Sequence, residues 1–111
     1  MPAYQNAVIQ DKLELIRDSI LSVVPDTEAI YLFGSYVDGM PHKESDLDIC
    51  AIFPDNVSNL LELRGKIRSN LYRKLDMPMD LIVKKSMDFH IRKTGATLDK
   101  VIAENGVLIY G

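Results

Sequence analysis

The segment "SDLDICAIF", residues 45–53, constrains this chain more than any other, because two aspartates, Asp46 and Asp48, lead straight into an apolar run. The run has the aromatic and β-branched content of a buried strand. Side chains alternate across a strand, so Leu47, Ile49, Ala51 and Phe53 share one face while Asp46, Asp48, Cys50 and Ile52 share the other. Carboxylates at the mouth of a core strand are costly to desolvate. Two of them on one face also repel, unless a cation lies between them.

The rest of the chain supplies a frame for that strand. Ile9, Leu13, Ile16, Ile20 and Val24 repeat at the helical period, predicting a helix over about residues 5–24 that Pro25-Asp26 stops. "AIYLF", residues 29–33, reads as a buried strand ended by Gly34. Residues 34–45 carry Gly, Pro, Asp and Ser and read as a loop with room for a helical turn. After the break at Pro54-Asp55-Asn56, Ser58 is placed to cap a helix with the stripe Leu60, Leu63, Ile67, Leu71 and Leu75. Met77-Pro78 ends it, and "MDLIVKK" gives a third strand with Asp80 and Ile82 on one face and Met79, Leu81 and Val83 on the other. Short helices follow over about 86–93 and 97–104, the second with Leu98, Val101 and Ile102 as its stripe. Asn105-Gly106 stops that helix, and "VLIY" forms a terminal strand or tucked extension. The order αββαβαα with a small mixed sheet predicts a single α/β (α+β) domain over residues 1–111, with helices flanking the sheet.

Two further features give the aspartates a chemistry. Asp80 opens the third strand as Asp48 nearly opens the second, so adjacent strands could bring the carboxylates together. Magnesium takes oxygen ligands, usually one or two carboxylates completed by substrate phosphates. Three carboxylates can hold two metals for an in-line phosphoryl transfer. Gly34-Ser35 ends the preceding strand, where a residue without a Cβ lets a ligand approach the backbone and the Ser35 hydroxyl can donate to phosphate oxygens. Separately, each piece is commonplace: D-x-D is more often a surface feature, and a lone Gly-Ser is nearly uninformative. Their spacing carries the weight, with ten residues between Ser35 and Asp46.

Bulk properties narrow the partners. In 111 residues, 16 acids face 13 lysines and arginines, for a formal net charge of −3. That is no footprint for long nucleic acid, so Arg64, Lys66 and Arg68, Lys84-Lys85, and Arg92-Lys93 are expected to be solvated faces or strand ends. No apolar run reaches the roughly 20 residues of a membrane span, and the acid-containing N-terminus does not resemble a signal peptide. One cysteine, Cys50, rules out an internal disulfide and suits a reducing cytoplasm. His42 and His90 have no zinc-like spacing with it; His42 is expected in a solvated loop and His90 as a packed or surface residue. Tyr31, Tyr36 and Tyr72 are expected to pack.

"GS" at 34–35, ten residues, then "DLD" at 46–48 resembles the signature of the nucleotidyltransferase superfamily related to DNA polymerase β, and in particular its minimal nucleotidyltransferases (MNT). The ending "VIAENGVLIYG" is similar to theirs as well. The resemblance implies that Asp46, Asp48 and Asp80 bind magnesium and carry catalysis, with Asp80 helping to activate the attacking hydroxyl. It implies that Gly34 and Ser35 take the phosphates of ATP. It further implies a HEPN-type toxin as partner, with the MNT protein acting as an antitoxin that transfers AMP to a toxin tyrosine; assembly into a homo-oligomer is left open. One position departs from the pattern. Where many relatives have a basic residue before the second glycine, "GSYVDG" has Asp38, which would repel a triphosphate. Lys43 or Lys84-Lys85 are the candidate replacements. The alternative reading is therefore an MNT-fold antitoxin with a weak or inactive site that neutralises its partner by stoichiometric binding.

Overall fold

In the computed structural model, residues 7–38 and 46–111 are described. The elements are α1 (Ala7–Val23), β1 (Ala29–Phe33), α2 (Ser35–Asp38), β2 (Leu47–Phe53), α3 (Leu60–Leu71), β3 (Met79–Lys85), α4 (Ser86–Arg92), α5 (Leu98–Asn105) and β4 (Val107–Tyr110). The four strands form one sheet in the order β3-β2-β1-β4. β1 runs antiparallel to both β2 and β4, while β2 and β3 are parallel. The parallel pair needs a crossover, and α3 is that crossover. The expected mixed sheet flanked by helices is thus observed, with "VLIY" as a true edge strand.

Alternation along β2 explains why the sheet is covered on both sides. Leu47, Ile49, Ala51 and Phe53 are fully buried in one cluster with Leu13, Ile16 and Ile20 of α1 and with Ile67 and Leu71 of α3. Cys50 and Ile52 face the other way, onto Phe89 of α4 and Ile102 of α5. With both faces closed, the central strand has only its ends near solvent, and its polar residue sits at one of them.

Three local readings are corrected. The N-cap of α3 is Asn59, not Ser58: the Asn59 side chain accepts from the Glu62 amide at 3.1 Å. Asparagine caps as well as serine, and Asn59 directly precedes the first helical residue. On α5 the buried stripe is Asp99 and Ile102, with Ala103 partly buried beside them, while Leu98 and Val101 are about half exposed. The helix is rotated toward Asp99 because Lys84 on β3 lies there, with its Nζ 3.5 Å from Asp99 Oδ1. Tyr31 and Tyr36 pack, as expected, but Tyr72 is exposed.

Gly106 ends α5 by a route of its own. Its amide donates to Ile102 O at 2.8 Å with φ −68°, so left-handed geometry is not involved. A Cβ there would lie 2.5 Å from Ile102 O, which is why the chain turns into β4 at a glycine.

Candidate active site

The site is built on the ends of three adjacent elements. β1 ends at Phe33, which pairs with Asp48 of β2, and Asp48 pairs with Asp80 of β3. The antiparallel and parallel ladders thereby bring the Gly34 turn, Asp48 and Asp80 to the same edge of the sheet. Leu47 fixes the β2–β3 register at its start, donating its amide to Pro78 O at 3.0 Å. Asp46 lies just before β2 and is exposed; the strand begins one residue later than the alternation predicts. Asp80 is exposed within β3, and Asp48 is half-buried between the two.

Gly34 and Asp48 are fitted to one another. Gly34 has φ +81°, a left-handed conformation that other residues adopt at a cost. A Cβ at Gly34 would stand 2.1 Å from Asp48 Oδ2 and 3.0 Å from its Cγ. The carboxylate therefore occupies the space that any side chain at position 34 would take. The glycine is required twice, by the turn and by the carboxylate above it.

The turn continues directly into α2. Val37 and Asp38 both donate their amides to Gly34 O at 3.0 Å, so those donors are used within the turn. Ser35, at the first helical position, has an amide with no acceptor earlier in its own helix, and a hydroxyl beside it. Asp38 is exposed at the end of α2.

The electrostatics of the acids agree with their placement. Asp48 is held above the ordinary carboxylate range, first by partial burial, then by the nearby charges of Asp80 and Asp46. Both carboxylates are therefore close enough to repel it. Among the described residues, no group of three or more His, Cys, Asp or Glu side chains is placed to hold a metal ion, so Asp46, Asp48 and Asp80 are not gathered into a formed metal site. An open set of carboxylates at a strand edge suits magnesium, whose remaining ligands come from phosphates and water, and a half-buried carboxylate raised by two like neighbours is the donor set a divalent cation relieves.

Other candidates fall away from this edge. Lys84 stands four residues beyond Asp80, about 13 Å along the strand, and pairs with Asp99; it does not replace the missing basic residue. His90 is an exposed residue with Nε2 3.4 Å from a Glu28 carboxylate oxygen. His42 and Lys43 lie outside the described residues. Sequence reasoning missed the clearance that Gly34 gives Asp48; a glycine facing a strand-end acid across a pair of ladders was the only signal for it.

The Nucleotidyltransferase domain family matches residues 13–109. The Protein adenylyltransferase MntA of Shewanella oneidensis is 30% identical over 99 residues, covering 89% of this chain and 62% of the relative, so the chain spans under two thirds of that relative's length. A solved toxin-antitoxin structure with AMP-PNP matches with TM-score 0.58 and 27% identity, over 89% of this chain and 73% of that one. A solved complex of an MNT antitoxin with the tri-AMPylated Shewanella oneidensis HEPN toxin matches with TM-score 0.57 and 26% identity, over 92% of this chain and 71% of that one.

Proposed function

We propose, since this chain belongs to the nucleotidyltransferase domain family, that it transfers AMP from ATP to a hydroxyl on a HEPN-type partner protein and acts as its antitoxin in the cytoplasm. The observation that carries the reading is Asp48, in register with Asp80 and seated over the bare Cα of Gly34. The nucleotide analogue and the AMPylated toxin found with related chains support the choice of donor and acceptor.

In this reading Asp46, Asp48 and Asp80 hold magnesium, and Gly34 with Ser35 takes the phosphates. Magnesium bound there would neutralise phosphate charge and orient the α-phosphorus for in-line displacement. Ser35 donates its hydroxyl and amide to phosphate oxygens, and Gly34 lets the nucleotide approach the backbone. The acceptor oxygen bonds to the α-phosphorus as the bond to pyrophosphate breaks, and Asp80, the most accessible acid within the strands, takes the hydroxyl proton. The chain's contribution is position and charge.

The test is to incubate the protein with a HEPN-type partner, magnesium and α-labelled ATP. Label on the partner that disappears with Asp46→Ala and Asp48→Ala is the expected result; label that survives both substitutions would overturn the site. Asp38 favours a second reading, stoichiometric neutralisation, since an exposed acid four residues after Gly34 opposes a triphosphate. Silencing of the partner without any label would select that reading.

A further inference from the structure

On the sheet face opposite Phe89, a groove of about 720 Å³ runs along α3 toward the start of β3, lined by Leu61, Gly65, Arg68, Tyr72, Leu75 and Met79. Leu61, Gly65, Arg68 and Tyr72 recur at intervals of four, three and four, so they form one stripe along the helix and its C-cap. The stripe does not serve the core: Leu61 is 75% and Tyr72 80% exposed, whereas Ile67 and Leu71 of the same helix are buried.

Gly65 sits in the middle of that stripe. A glycine inside a helix costs about 1 kcal/mol relative to alanine, and packing usually explains one that persists. Here nothing in the chain does: among the described residues, no heavy atom beyond its chain neighbours and its own helix backbone lies within 4 Å of where its Cβ would be. The missing side chain leaves space on the outside of the molecule, where another backbone can approach closely.

Charge identifies what would approach. Residues 60–75 carry Arg64, Lys66, Arg68, Arg73 and Lys74 against the single acid Glu62, in a chain whose net charge is −3. Lys66 is engaged by Glu62, and the neighbouring Asp76 is engaged by Lys12. Arg64 donates to Leu81 O, a neutral acceptor on the edge strand, so its charge is retained. Among the described residues, Arg68, Arg73 and Lys74 have no carboxylate at ion-pair distance.

We infer that this groove is a docking site for an acidic amphipathic helix of a partner protein, laid along α3 with its backbone closest at Gly65. Leu61 and Tyr72 are its apolar anchors, and Arg68, Arg73 and Lys74 its basic rim; tyrosine and arginine are the residue types enriched where binding energy concentrates. Two copies meeting symmetrically through α3 would set like charges against each other, which disfavours self-pairing. A nucleic acid would use the cations but not the bare glycine or the exposed leucine. The inference is independent of the AMP transfer proposed above.

The test titrates the isotope-labelled full chain with a synthetic helix-forming peptide of about 15 residues, roughly 22 Å long as a helix, with a glutamate-rich face and a leucine stripe. Amide shifts should saturate and map to residues 61–79. Arg68→Glu and Gly65→Gln should each weaken binding about tenfold, a loss of about 1.4 kcal/mol. Gly65→Gln should raise the Tm, since glutamine is the better helix former, so lost binding cannot be ascribed to unfolding. Asp48→Asn should leave the affinity unchanged. Shifts that map elsewhere, indifference to Gly65→Gln, or tighter occupancy of these residues by an RNA hairpin or by a second copy in sedimentation would each overturn the proposal.

Discussion

The carboxylate of Asp48 fills the position where any residue other than glycine at 34 would place its Cβ, only 2.1 Å from Oδ2. Gly34→Ala must therefore displace that carboxylate while forcing alanine to φ +81°. The backbone term costs about 1–2 kcal/mol, which leaves most of the protein folded. On the AMP-transfer reading, displacing the Asp48 carboxylate by an ångström costs about a hundredfold in rate. The expected outcome is a folded protein by circular dichroism with AMP transfer reduced about a hundredfold; near wild-type transfer would show that Asp48 does not need this position.

Asp48→Asn should separate stability from activity. Partial burial, Asp80 and Asp46 all raise the Asp48 carboxyl above its ordinary value, so the folded state holds this proton more tightly than the unfolded state. Its contribution to stability then falls as pH rises through the interval above the ordinary carboxylate value. Asparagine removes the charge and that pH dependence. Relief of the burial and of the two like charges should raise the Tm at neutral pH, while on the AMP-transfer reading transfer is abolished. Thermal scans across pH would check it, and a lower Tm would contradict the account.

Lys84 and Asp99 should show strong non-additivity. Asp99 is 3% exposed, and among the described residues its Oδ2 has no hydrogen-bond partner. Lys84→Met strands this buried carboxylate and should cost about 3 kcal/mol in urea unfolding. Adding Asp99→Leu should recover most of that loss, because two apolar groups need no charge partner. A double variant less stable than Lys84→Met would refute this.

Cys50 should be silent as a nucleophile. Burial, and next the Asp99 carboxylate, push its thiol up to about 12 from 9.0, with Lys84 opposing them. A thiol reagent at about pH 8, below the ordinary thiol value, should label the native protein only at the rate of unfolding. Between about pH 9 and about pH 12 the unfolded thiol gives up its proton while the folded one keeps it, so stability falls with rising pH. Rapid labelling without denaturant would place the sulfur elsewhere.

What could be read from the sequence was what periodicity and spacing encode. The α1 stripe of Leu13, Ile16, Ile20 and Val24 is buried as predicted, and both faces of β2 fall where alternation puts them. The spacing of Gly34-Ser35, Asp46, Asp48 and Asp80 anticipated that Asp48 and Asp80 meet. What escaped was decided by pairs distant in sequence. Leu98 and Val101 look like a core stripe until Lys84 turns Asp99 inward. Tyr72 looks like a packing residue until α3 ends beneath it. Hydrophobicity ranks each residue alone and cannot see these partners.

The parallel pairing of β2 with β3 has a consequence for how the protein is made. Asp48 and Asp80 are separated in sequence by the whole of α3, and no local hairpin can bring them together. Loop closure over that distance must precede the contact, so the carboxylate pair forms only when the crossover helix has docked. A chain still emerging from the ribosome with β1 and β2 already paired would have the Gly34 turn, Asp46 and Asp48 but not Asp80. The pairing of Asp48 with Asp80 therefore matures as one of the later events of folding, in step with burial of Ile67 and Leu71, so the acidic end of the sheet records the final assembly of the domain.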